Sequence, residues 1–160
     1  MVSNQQTSKI QVGDPAPDFT LPTQTGESFS FHDLLGQSSI ILYFYPKDET
    51  RGCTIEACSF RDSYEVFKDA GAEVVGISSD SVESHQKFAQ KHRLPFILLS
   101  DKSGTVRKLF GVPSIFGLVP QRVTYVIDKQ GIIRHIFSSL YMPEKHITEA
   151  LDTIKAFEDK

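Results

Sequence analysis

The 160-residue sequence has no tryptophan, only two methionines and only two cysteines. Two cysteines cannot form the disulfide framework that stabilises small secreted scaffolds. No basic run exceeds two residues and the net charge is −3, so the chain lacks the electrostatic footprint of a nucleic-acid or anionic-membrane binder. No apolar run approaches the roughly 18 residues of a membrane span. The stretch Met1 to Lys9 is polar and has no apolar signal-peptide core. It reads as the disordered tail of residues 1–10, ahead of one domain over residues 11–160. That length is ample for a substantial core, and no internal repeat or linker divides it.

The order of elements is legible from periodicity and punctuation. Asp18 to Leu21 and Ser28 to Phe31 are short extended pieces around the Thr25-Gly26 turn. Ser39 to Tyr45 is continuously apolar, as a strand buried on both faces must be. Cys53 to Ala70 predicts a helix, with Ala57, Phe60, Tyr64 and Phe67 at helical spacing and Gly71 as its stop. Glu73 to Ser78 is a strand, and Val82 to His92 is a helix opened by Ser79-Asp80-Ser81. Pro95 to Leu99 is a strand and Gly104 to Phe110 a short helix. Thr124 to Asp128 and Ile132 to Phe137 form a hairpin across Lys129-Gln130-Gly131. Pro143 to Phe157 is the last helix, with Ile147, Leu151 and Ile154 on one face. Two β-α-β passages followed by a hairpin and a helix imply an α/β three-layer fold, with a central mixed β-sheet flanked by helices. The order resembles the thioredoxin-like architecture.

The richest segment is Pro46-Lys47-Asp48-Glu49-Thr50-Arg51-Gly52-Cys53, with Cys58 five residues on. It puts a thiol in the first turn of a helix at the C-terminal end of a strand. Unpaired N–H groups and the helix dipole favour negative charge there, and helix N-termini are among the places where thiolate, the nucleophilic form, is stabilised. Cys53 is therefore a candidate nucleophile. The pair also allows blander readings, among them two inert buried thiols. Its four-residue spacing is not the two-residue spacing of a thioredoxin-type redox site. In an ideal helix residues five apart lie about 8–9 Å apart at Cα, whereas a disulfide needs about 7 Å or less. If these cysteines bond, the first turns must unwind.

Metal binding by the pair requires further ligands. The five histidines, His32, His85, His92, His135 and His146, are scattered, and none forms a spaced set with the cysteines. Each reads as a surface or capping residue, with His92 and His146 on exposed helix faces. A Cys-His dyad has no local signature.

The motifs together resemble the peroxiredoxins. Pro46, Thr50 and Cys53 fit the family's Pro-x-x-x-Thr/Ser-x-x-Cys, and Arg122 lies in Pro120-Gln121-Arg122-Val123-Thr124-Tyr125-Val126-Ile127-Asp128. Gly13-Asp14-x-Ala16-Pro17-Asp18-Phe19, Glu56-Ala57-Cys58-x-Phe60-Arg61-Asp62 and Leu99-Ser100-Asp101 add to the match, which runs from about Val12 to the last helix. The position of Cys58 resembles the PrxQ, or bacterioferritin-comigratory-protein, subfamily. The resemblance implies a thiol peroxidase in which Cys53 attacks a hydroperoxide and becomes a sulfenic acid. Cys58 then closes an intramolecular disulfide and a thioredoxin-like protein reduces it. It implies no metal, haem or flavin, and a monomer.

In that frame Arg122 brings a permanent cation with several donors to the thiolate and the peroxide. The Thr50 hydroxyl can donate and accept between them. Pro46 shields the thiolate or simply ends the strand. Arg51 stands where relatives carry proline. It is either a solvated side chain or a cation that alters the reaction rate. The apolar segment Ser114 to Pro120 is either core or a docking patch. Two other functions use the same fold: a non-enzymatic redox switch and a general thiol–disulfide oxidoreductase. The expected compartment is the cytoplasm, with the plastid stroma or thylakoid side as the alternative for an imported mature chain.

Overall fold

The computed structural model describes residues 10–115 and 119–158. The expected N-terminal tail lies outside them except for Ile10. The central sheet uses strands β3 (Ser39–Phe44), β4 (Ala72–Ser78), β5 (Ile97–Ser100), β8 (Val123–Ile127) and β9 (Ile133–Ser138), in the order β5-β4-β3-β8-β9. β3 runs parallel to β4 and antiparallel to β8, so the sheet is mixed as expected. Two small hairpins lie apart from it: β1 (Thr20–Pro22) with β2 (Ser28–Ser30), and β6 (Ser114–Ile115) with β7 (Val119–Pro120). Whether the segment 114–120 packs down or forms a patch turns on side chains outside the described residues.

The apolar run of β3 has a direct cause. Its side chains alternate across the sheet. Ile41 and Tyr43 enter a core with Phe60, Phe67, Phe88 and Ile154 from the helical layer and Phe96 from the loop before β5. Ile40, Leu42 and Phe44 enter a second core on the opposite face, with Phe19, Phe31, Val106 and Phe110. The first core lies under α1 (Arg51–Asp62), α2 (Tyr64–Asp69), α3 (Val82–His92) and α5 (Lys145–Glu158). The second lies under α4 (Thr105–Leu109) and the N-terminal hairpin. These are the three layers read from the sequence.

Two helices depart from expectation. The helix expected over Cys53 to Ala70 starts two residues earlier, at Arg51, and is broken at Ser63 (φ −102°, ψ 3°) into α1 and α2. Asp62 and Ser63 are both weak helix formers, which lets the chain re-aim there. The last helix starts at Lys145, not Pro143. Pro143 sits in a lead-in turn, where Lys145, His146 and Ile147 N–H groups each bond the carbonyl three residues back.

Candidate active site

The loop from β3 to α1 is fixed at one residue, Asp48. Its carboxylate accepts from Tyr45 Oη at 2.6 Å and from Ser84 Oγ at 2.8 Å, and lies 2.7 Å from His85 Nδ1. Its own N–H donates to Asp80 Oδ2 at 2.8 Å. His85 Nε2 lies 2.9 Å from the Leu99 carbonyl, which ties the loop to α3 and β5. Asp48, Asp80 and His85 bring three potential metal-ligand atoms within 4.8 Å of one another. Those atoms already serve hydrogen bonds, and the group reads as a buried clamp.

Beyond the clamp, Glu49 adopts a left-handed backbone (φ 63°), a conformation that costs a non-glycine residue about 1–2 kcal/mol. Thr50 returns to extended geometry as the N-cap (φ −81°, ψ 155°). This kink lets α1 begin at Arg51 and puts Cys53 in its first turn. The buried residues of α1 are Cys53, Glu56, Ala57 and Phe60, the i, i+3, i+4, i+7 stripe of a helix packed on a sheet. Cys53 is 1% exposed.

Arg122 reaches the same place from the position just before β8. Val123, Tyr125 and Ile127 point into the second core, so Arg122 and Thr124 point the other way, toward α1 and α5. Arg122 Nη1 donates to Glu56 Oε1 at 2.6 Å and to Cys53 Sγ at 3.5 Å, and Nε donates to the Leu140 carbonyl at 3.3 Å. The side chain is 3% exposed. Burial weighs against its charge, but Glu56 and Cys53 facing it hold the guanidinium firmly protonated. Gly52 makes this approach possible: a Cβ there would stand 2.8 Å from Arg122 Nη2.

Glu56, His146 and Thr124 extend the site inward. Burial pushes the Glu56 carboxyl up to about 8, and the opposing pull of Arg122 does not overcome it. His146 Nδ1 lies 2.7 Å from Thr124 Oγ1 and 3.6 Å from Glu56 Oε2, while Nε2 lies 2.8 Å from the Ser139 carbonyl. Burial lowers His146 to about 4, so its imidazole is neutral. His85 and His146 therefore correct the expectation of surface histidines: both are fully buried. His92 is partly buried, stacked edge-on to Phe88. Among the described residues, the side chain bonded to Cys53 Sγ is an arginine and none is a histidine, which leaves the Cys-His dyad without geometry.

The remaining expected residues are distributed around an open cleft of about 420 Å³, lined by Pro46, Thr50, Arg51, Ile55, Arg122 and Tyr141 among others. The Thr50 hydroxyl donates to the Lys47 carbonyl at 2.9 Å, which commits its proton and leaves both lone pairs free to accept. Arg51 is exposed at the helix start. Cys58, a half-buried free thiol, lies on α1 but off the stripe that carries Cys53. The helix thus holds the two thiols on different faces.

A family model described as AhpC/TSA matches residues 12–136. The chain belongs to the AhpC/TSA family. Within it the chain is a peroxiredoxin of the Q type. It is 51% identical over 154 residues to a chloroplastic peroxiredoxin Q of Sedum lineare, covering 96% of this chain and 82% of the relative. Among solved structures, Peroxidoxin BcpB of Mycobacterium tuberculosis superposes with a TM-score of 0.86 at 40% identity, covering 92% of this chain and 97% of that one. A Xanthomonas campestris bacterioferritin comigratory protein, described by its alkyl peroxide reduction activity, superposes at 0.78 with 28% identity, covering 87% and 91%.

Proposed function

We propose that Cys53 is the peroxidatic thiol of this thiol-dependent peroxidase and Cys58 its resolving partner. The observation that carries the assignment is the Arg122 guanidinium, which lines the cleft and donates to the buried Cys53 Sγ. The Cys53 thiolate attacks the terminal oxygen of a hydroperoxide. An S–O bond forms and the O–O bond breaks. The departing alkoxide or hydroxide takes a proton and leaves as alcohol or water. Arg122 stabilises charge on both sulfur and leaving oxygen, the kind of fixed donor whose value rises in a water-poor site. Pro46 walls the cleft, and the Thr50 hydroxyl receives the peroxide.

Cys53 is then a sulfenic acid. The Cys58 thiolate attacks its sulfur, the oxygen leaves as water after protonation, and a Cys53–Cys58 disulfide forms. Both thiols are on α1, so this step requires the helix to open from its N-terminal end. A thioredoxin-like dithiol reduces the disulfide by exchange. The chain acts as a monomer, and no metal or organic cofactor enters any step. The relative's chloroplastic name favours the plastid over the cytoplasm as the compartment. The test is peroxide consumption coupled to thioredoxin and its reductase. The proposal expects turnover that needs both cysteines and the dithiol donor. Peroxide-independent disulfide exchange as the main activity would favour an oxidoreductase instead.

A further inference from the structure

The arginine in the site faces one anion too many. Arg122 is a single cation, almost wholly buried, and its Nη1 is shared between the Glu56 carboxyl and the Cys53 sulfur. Glu56 is fully buried as well. If both Glu56 and Cys53 were ionised, one buried negative charge would be left without a counter-charge, an arrangement that costs several kcal/mol and is usually relieved by proton uptake.

The hydrogen-bond geometry around Glu56 bears on where that proton goes. Among the described residues His146 Nε2 bonds the Ser139 carbonyl, an acceptor, so Nε2 carries the ring hydrogen. His146 Nδ1 is then a lone pair, which accepts from the Thr124 hydroxyl and also faces Glu56 Oε2 at 3.6 Å. Oε2 is buried and has no hydrogen-bond partner among the described residues, whereas Oε1 is engaged by Arg122. Two lone pairs facing each other in a buried site repel, and a proton on Oε2 removes that repulsion and directs a donor toward Nδ1, although 3.6 Å is longer than a hydrogen bond.

We propose that in the reduced enzyme Glu56 is a neutral carboxylic acid, its proton on Oε2 and held toward His146 Nδ1, so that the charge of Arg122 is left undivided for the Cys53 thiolate and the peroxide. Glu56 and His146 are then positioning residues, acting through Arg122 on the reacting sulfur. The other groups facing this carboxyl agree with a neutral state. Cys53 on its own helix supplies the competing anion. Tyr43 on β3, which has Glu56 as a neighbour, offers a buried hydroxyl with no partner among the described residues. From α5, Glu149 adds a further negative charge near His146. The assignment rests on Cys53 being the reactive thiolate, but the proton on Glu56 is measured without any turnover.

The experiment is infrared difference spectroscopy of the reduced protein, wild type against Glu56→Gln, in light and heavy water. The expected result is a deuterium-sensitive carbonyl stretch of a protonated carboxyl at neutral pH, absent from Glu56→Gln and fading as the pH passes about 8. Thr124→Val, which removes the donor competing for Nδ1, moves the band toward stronger hydrogen bonding. His146→Phe moves it the other way. Absence of the band at neutral pH overturns the proposal. A second readout does not depend on the spectrum. Gln is the neutral isostere of the proposed state, so Glu56→Gln in a Cys58→Ser background leaves the midpoint of the Cys53 thiolate absorbance where it was. If Glu56 were an anion in the wild type, the same change would remove a neighbouring like charge and lower that midpoint by about 1–3 pH units. Such a fall also overturns the proposal, while leaving the peroxidase assignment intact.

Discussion

Gly52→Ala adds one methyl group and tests the packing that puts Arg122 on Cys53. Gly52 has no left-handed backbone, so alanine suits its helical conformation and should favour the helix by about 0.5–1 kcal/mol. The difficulty is elsewhere. The new Cβ would stand 2.8 Å from Arg122 Nη2 and 3.7 Å from Cζ. A guanidinium is usually easy to displace, but this one is 3% exposed and pinned by Leu140, Glu56 and Cys53. Its bond to Cys53 Sγ is 3.5 Å, and a retreat from the methyl group lengthens it. Loss of one hydrogen bond to a charged group is worth about 1.5–3 kcal/mol. At about 1.4 kcal/mol per decade that slows peroxide attack roughly 10- to 150-fold. Stopped-flow oxidation of the reduced enzyme gives the rate, and a thermal melt run in parallel gives the stability. The expected pattern is a slow enzyme that melts near the wild-type temperature. An unchanged rate constant would refute the claim that Gly52 is required for the approach of Arg122.

Three further outcomes follow from the same geometry. Arg122→Ala should slow peroxide attack by about 10²–10³-fold, the loss seen when one fixed donor to developing charge is removed, and stopped-flow kinetics on the Cys58→Ser background measures it. Hydrogen exchange on the reduced and disulfide forms should show α1 losing protection from Arg51 up to the break at Ser63, while α2 keeps its own, held by the fully buried Phe67 and by Tyr64 Oη on Glu73. Folding stability should depend on Glu56. Its folded value of about 8 lies above its ordinary 4.5, so the native state binds the extra proton and stability falls as pH rises through that window. His146, lowered to about 4 from 6.5, acts oppositely below 6.5. Between pH 6.5 and 8 the Glu56 contribution stands alone among the two, and denaturant titrations should show wild type losing about 2 kcal/mol more than Glu56→Gln.

Much of the fold was legible because local signals agreed with it. The helix over Val82 to His92 was read to the residue, since Ser81 caps it by accepting from the Ser84 N–H and Arg93 leaves it in a left-handed turn. β3 was legible because two cores bury both of its faces. The break at Ser63 was not, because the apolar spacing runs straight across it. Cys53 and Arg122 are 69 residues apart, and only the family motif suggested that they meet. Glu56, His85 and His146 were missed because single polar residues in amphipathic helices read as solvated. A signal was present all the same. Glu56 falls within the stripe Cys53-Glu56-Ala57-Phe60, and His146 shares a face with Ala150 and Ile154, which are buried. A polar residue on an apolar stripe is one whose hydrogen bonds have to be found inside the protein. Gly52 had no such signal, since its role depends on a side chain from another element.

The most direct test of the account is a single-turnover reaction of reduced Cys58→Ser and Cys53→Ser with one equivalent of hydroperoxide, followed by sulfenic-acid trapping and mass spectrometry. The account predicts one trapped oxygen on Cys53 in Cys58→Ser and no reaction in Cys53→Ser. Equal reaction of the two variants, or an oxygen found on Cys58, would contradict it.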